Sequence, residues 1–145
     1  MNLNRRKIAK FALAASVLAL VGLADSIYLT IHHYTARPVP CSIVEGCEKV
    51  LTSRYATIWE IPIALFGAVA YFFALLWSIL TSAGKAVFWY AFLLQTSLMA
   101  AYSAWLVYLQ WAVIESFCQF CLLSAFVCFA LFFLAVIAIF VSRQD

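Results

Sequence analysis

Four long apolar runs, separated by polar breaks, dominate the chain at about 8–32, 61–80, 87–114 and 117–141. Each has the roughly 20 residues that a helix needs to cross a bilayer core of about 30 Å. None shows the period-two alternation of a membrane β-strand, so helices are the way these runs can satisfy their backbone in lipid. The pattern predicts an all-α integral membrane protein, a four-transmembrane-helix bundle forming a single membrane domain over 1–145. The connection at about 34–60 is the only long one. Pro38, Pro40 and Gly46 make its first part irregular chain, and 47–55 reads as a short helix lying over the bundle. Residues 81–85 form a tight turn, and the third and fourth spans turn into each other near Glu115. No internal repeat or low-complexity segment interrupts this order.

Composition agrees with the pattern. The chain is 68% hydrophobic and 10% charged, whereas a soluble domain carries roughly a quarter charged residues. The formal charge of +3 forms no basic stripe with interleaved aromatics, which argues against nucleic acid. Arg5, Arg6, Lys7 and Lys10 before the first run resemble the start of a signal peptide, and small residues follow Leu18. The apolar run resumes at Ile27 and reaches Ile31, so it reads as a retained span.

The basic residues set the orientation. Arg5, Arg6, Lys7, Lys10, Lys85 and Arg143 fall on one side of the membrane, while Arg37, Lys49 and Arg54 fall on the other. Both termini are therefore expected in the cytoplasm, with the 34–60 loop and the Glu115 turn on the outer face of the cell membrane.

The cysteines carry the candidate chemistry. Cys118 and Cys121 have C-x-x-C spacing at the outer start of the fourth span, and residues three apart share a helix face. Ser116 and Gln119 have the spacing of a capping box. With Ser116 as N-cap, Cys118 would sit in the first turn, where unpaired N–H groups favour a thiolate. Cys41 and Cys47 lie in the outer loop, in a compartment that permits disulfides. A flexible loop pair beside a helical pair is the layout of a thiol–disulfide relay. A structural bridge would use the same residues. A four-thiolate zinc site fits less well, because one pair is spaced by five residues and the other lies at the lipid boundary; no metal is expected. Cys128, two turns beyond Cys121, reads as a buried apolar side chain. Asp25 is the one acid inside a span. It reads either as part of a proton path or as a bundle contact through Ser26, Tyr28, Gln95 or a water. His32 and His33 read as interfacial polar residues.

Five stretches together are similar to the vitamin K epoxide reductase family in its bacterial and archaeal single-domain form. They are DSIYLT at 25–30, CSIVEGC at 41–47, VLTSRYA at 50–56, IPIALFG at 61–67 and FCQFC at 117–121. The resemblance implies a four-helix bundle around a quinone site, of ubiquinone or menaquinone type, near the outer surface. It implies that Cys118 and Cys121 form the active-site pair, with Cys121 toward the quinone. Cys118 would exchange with Cys47, and Cys41 would receive electrons from a thioredoxin-like or DsbA-like thiol protein. Leu51, Ser53, Tyr55, Ile63, Phe66, Leu122 and Ala125 match positions at or near the quinone pocket. Ile63 and Ala125 depart from vertebrate members, which place Asn and Tyr there to hydrogen-bond a naphthoquinone; plain quinone reduction fits better than epoxide reduction. Many bacterial members continue into a thioredoxin-like domain. This sequence stops at Asp145, so a separate partner is expected. The DsbB-type thiol oxidases carry their pairs in the reverse order. The function implied is a quinone-dependent thiol oxidase supporting disulfide-bond formation outside the cytoplasm. The alternative is a non-enzymatic membrane protein with structural disulfides.

Overall fold

The computed structural model describes residues 4–143. The extreme ends of the predicted 1–145 domain, residues 1–3 and 144–145, lie outside the described residues. Four helices are long and apolar enough to cross a membrane. Helix α1 spans Arg5–Thr35, α3 Ile63–Ser82, α4 Phe88–Ala112 and α5 Gln119–Arg143. Between α1 and α3 lie a short helix, α2 (Cys47–Leu51), and a two-stranded hairpin, β1 (Thr57–Ile58) and β2 (Ile61–Pro62). The long helices close a ring in which α1 packs on α3 and α5, and α4 packs on the same two. The chain is a four-helix membrane bundle.

Local chemistry explains the helix limits. The Asn4 side chain accepts from the Arg6 N–H at 3.2 Å and caps α1. At the other end Ala36 turns left-handed, with φ 51°, and the Arg37 N–H closes back on the His32 carbonyl at 3.3 Å. With 31 residues, α1 is about 46 Å long at about 1.5 Å per residue. It outruns the 8–32 expectation at both ends, with a charged first turn and a last turn holding His32 and His33, residues that suit water or headgroups better than hydrocarbon. The Asn4 N–H also meets the Ser142 carbonyl at 3.4 Å, which puts the start of α1 and the end of α5 at the same end of the bundle.

Small residues make the α1–α3 seam. Ala12, Ala15, Ser16, Ala19, Gly22 and Ser26 repeat every three or four residues along α1 and are all buried. Across the seam, Ser16 and Ser78 share a hydrogen bond of 2.8 Å. Such a stripe lets two backbones approach where lipid supplies no hydrophobic drive. Gly22 faces the Tyr71 ring so closely that a Cβ there would overlap it. Gly22→Ala is therefore expected to destabilise the bundle by about 1–3 kcal/mol, the usual cost of overpacking, seen as earlier thermal unfolding in detergent.

The packed core lies toward the end where the termini meet, around Ile8, Trp89, Phe92, Leu131, Ala135 and Ile139. Trp89 ties α4 to α5 by donating to the Ala135 carbonyl at 3.2 Å. Leu13, Leu20, Leu94, Phe126 and Phe140 are exposed, as side chains facing lipid tails can be.

The connections differ from the sequence expectation in three places. The helix expected over 47–55 stops at Leu51. The Thr52 hydroxyl folds back on the Glu48 carbonyl and the Ser53 hydroxyl on the Val50 carbonyl, which competes with continued helix. The chain then makes the unpredicted hairpin, whose turn residues Trp59 and Glu60 both have positive φ (49° and 65°). Two such residues give the turn whose twist suits a tight hairpin, normally signalled by Asn-Gly or Asp-Gly. Third, α4 ends at Ala112 and α5 begins at Gln119, so residues 113–118 form a true link rather than near-continuous helix. Glu115 turns through φ 53°, and the Gln110 carbonyl accepts from the Ser116 N–H at 3.1 Å.

Candidate active site

The 113–118 link and the 34–60 loop meet at the end of the bundle opposite the termini. Cys41 and Cys47 are joined by a disulfide, with Cα atoms 6.2 Å apart. Cys41 is partly exposed, whereas Cys47, the first residue of α2, is buried. Cys47 packs with Val50, Ile114 and Cys118 in a small apolar cluster, which Cys41, Leu51, Tyr55, Phe120 and Cys121 flank. Cys118 is fully buried there, and it and Cys121 are free thiols.

Two contacts fix the loop over the second pair, and a third braces the link beneath it. The Gly46 backbone lies so close to the link that a Cβ would fall 2.5 Å from the Phe117 carbonyl oxygen. Only a residue without that atom allows the approach. The Ile43 N–H donates to the Gln119 side-chain oxygen at 3.0 Å, across 76 residues of sequence. The Gln110 side-chain oxygen accepts from the Cys118 N–H at 2.9 Å. Gln110 is buried and so braces the link from α4 with both its backbone and side-chain oxygens.

The capping box expected from Ser116 and Gln119 does not form. Gln119 is the first residue of α5 and spends its side chain on the loop. Cys118 takes the capping position itself. Its carbonyl accepts from the Leu122 N–H at 2.9 Å, and its sulfur accepts from the Cys121 N–H at 3.3 Å. A sulfur in place of the usual capping oxygen thus sits at the positive end of the helix. The Cys118 thiol is held below the ordinary thiol range, first by the hydrogen bond from the Cys121 thiol. Burial opposes this, the Cys121 and Phe120 N–H groups add to it, and the Asp25 charge opposes it slightly. A lowered thiol is more thiolate, the form that exchanges disulfides.

Cys121 faces the other way. It lines a cavity of about 930 Å³ enclosed by α1, α3, α4 and α5 and roofed by the loop and α2. That volume is in the range of small-molecule sites. Leu51, Ser53, Tyr55, Ile63, Phe66 and Ala125 are on its wall, and Leu122 is not. Cys41, Cys47 and Cys118 are not on the wall either. His32, His33, Arg37 and Arg54 stand on its loop side, and Arg54 is held over the Tyr55 ring at 4.9 Å and donates to its hydroxyl at 2.9 Å.

The polar groups deeper in the cavity are mostly committed. The Tyr71 hydroxyl lies 2.8 Å from the Ser124 carbonyl, 2.9 Å from the Ser124 hydroxyl and 3.1 Å from the Cys128 sulfur. Gln95 donates to the Ala70 carbonyl at 2.5 Å and accepts from the Trp77 indole at 2.9 Å. The bundle contacts considered for Asp25, through Ser26, Tyr28 or Gln95, are not made: neither carboxylate oxygen has a hydrogen-bond partner. Among the described residues, no three His, Cys, Asp or Glu side chains converge as a metal site would require.

The sequence model of the vitamin K epoxide reductase family matches residues 13–136, a stretch that contains all four long helices in whole or part and both cysteine pairs. The chain belongs to the vitamin K epoxide reductase family. It is also similar to the thiol-disulfide oxidoreductase LTO1 of Arabidopsis thaliana, with 34% identity over 123 residues. The match covers 79% of this chain but 33% of that relative, so the chain spans about a third of the relative's length. In this member of the family, the cavity wall at Ile63 and Ala125 presents apolar surface and no side-chain hydrogen-bonding group.

Sequence reasoning missed Gln110 and the role of Gln119. Gln110 carried a signal, being a polar side chain near the end of an apolar run, the kind of position that in a membrane normally finds a buried partner. The partner, a backbone N–H eight residues on, depended on the shape of the link.

Proposed function

We propose that this chain is a membrane thiol–disulfide oxidoreductase that takes electrons from a thioredoxin-like or DsbA-like protein and passes them to a quinone. The observation that carries the reading is the placement of the two pairs. Cys41 is accessible on the loop, Cys47 is buried with Cys118, and Cys121 opens on the cavity.

Each sulfur then has one task. A donor thiolate attacks Cys41, forms a mixed disulfide and releases Cys47 as a thiolate. Cys47 attacks Cys118 of an oxidised Cys118–Cys121 bridge and frees Cys121. The donor's second thiol resolves the bond to Cys41, and Cys41 displaces Cys118 from Cys47, which restores the loop bridge. The donor has lost two electrons and two protons, now held as the Cys118 and Cys121 thiols. Bound in the cavity, a quinone supplies a two-electron, two-proton sink. The chain's own part is to present Cys121 there, to exclude water with an apolar wall, and to reform the Cys118–Cys121 bond as electrons leave.

The cavity suits such a molecule by its volume and by a largely apolar wall into which polar groups are set. The positive-inside pattern supports a single membrane domain with both ends cytoplasmic and the loop outside, where disulfides persist. The reaction would then support disulfide-bond formation outside the cytoplasm. The test is to supply purified protein with a reduced thioredoxin-like donor and a ubiquinone or menaquinone analogue. The expected result is one quinone reduced per donor disulfide formed in sustained turnover; multiple-turnover donor oxidation that does not depend on quinone would refute it.

A further inference from the structure

Among the described residues, Asp25 is the buried side chain on this cavity's wall whose oxygens lack a hydrogen-bond partner. It lies on the inward face of α1, is 8% exposed, and lines the same space as Cys121. Among the described residues, the buried side-chain oxygens and nitrogens without a hydrogen-bond partner are the two Asp25 oxygens and the Tyr90 hydroxyl, and Tyr90 is not on the cavity wall. Tyr71, Ser124 and Gln95, which share the wall, already bond to protein. A buried polar group left unpaired is costly, and more so within a membrane. Ser26 beside Asp25 packs close to α3, where a Cβ on Gly67 would lie 3.1 Å from the Ser26 hydroxyl.

We propose that Asp25 is a catalytic residue that hydrogen-bonds a quinone carbonyl oxygen in this cavity and hands it a proton. The inference rests on the quinone reading above. In its acid form Asp25 presents an O–H donor toward the cavity. As the Cys118–Cys121 bond forms, two electrons and two protons leave the thiols. Asp25 gives its proton to one carbonyl oxygen and regains one from the thiols, and the second thiol proton goes to the other carbonyl oxygen, so the dithiol becomes the disulfide, the quinone becomes the quinol, and Asp25 ends as it began. An apolar wall at Ile63 and Ala125 leaves this role open on those two sides.

The test compares Asp25→Asn, Asp25→Leu and Asp25→Glu with wild type, using a short-chain ubiquinone analogue. Binding is followed by quenching of intrinsic fluorescence, and turnover with a reduced thioredoxin-like donor. Asn keeps a donor but carries no transferable proton, so affinity should stay within a few-fold while kcat falls about 10²-fold, the scale of general acid catalysis. Leu should also weaken binding about tenfold, the worth of one hydrogen bond. Glu should restore part of the turnover that Asn loses. In infrared difference spectra, adding quinone should shift a carboxyl band in wild type that is missing in Asp25→Asn; a merely structural carboxyl would show no such shift. If Asp25→Leu binds and reduces quinone like wild type, or the band does not respond, the inference is overturned while the quinone reading stands. If wild type itself neither binds nor reduces quinone, both fall.

Discussion

Cys121→Ala is expected to abolish quinone reduction while leaving one round of thiol chemistry intact. Cys121 is the member of the two pairs that reaches the cavity wall, so without it no sulfur of the relay faces the acceptor. Cys128 also lines the cavity, but its sulfur lies against the Tyr71 hydroxyl, two turns deeper along α5. The variant should still let a reduced donor open the Cys41–Cys47 bridge. Donor oxidation should therefore stop after a single equivalent per protein, and the quinone should remain oxidised. Stopped assays that count donor disulfide and quinol separately measure both. Turnover near the wild-type rate would mean that electrons leave by another route.

Cys47→Ala should separate the two halves of the relay. Cys47 is buried with Cys118, under a loop whose approach depends on Gly46 and on the Ile43–Gln119 bond. A protein donor is too large to reach a fully buried Cys118, so donor-driven turnover should fall to background. A small dithiol, entering where the Cys47 side chain has been trimmed, should still reduce the Cys118–Cys121 bridge and drive quinone reduction. The ratio of the two rates is the measurement. Equal loss with both reductants would place Cys47 in the folding of the site instead, as a structural bridge would require.

The four spans were legible because a run of about 20 apolar residues has few ways to satisfy its backbone in lipid. The ends were less so. Span limits depend on caps, and the capping sulfur of Cys118 is not a residue type that capping rules would select. The hairpin at Thr57–Pro62 was hidden for a similar reason: its strands are two residues each, and Trp59 and Glu60 adopt left-handed backbone usually signalled by Gly or Asn. The cysteine pairs stood out by spacing, but spacing does not say which sulfur faces which neighbour. That came from the fold, where Gln110 and Gln119 hold the link and the loop together. Asp25 was conspicuous as a charge inside an apolar run, yet its lack of a partner could be seen only once Gln95 and Tyr71 had found theirs.

The central claim is that electrons pass from Cys47 to Cys118. With Cys41 and Cys121 both changed to Ser, the sulfurs left at the junction are Cys47 and Cys118. Mild oxidation in the membrane, followed by thiol blocking, digestion and mass spectrometry, reads their pairing directly. The relay predicts a Cys47–Cys118 cross-link in most of the protein. Free thiols at both positions, in protein that remains folded, would contradict it.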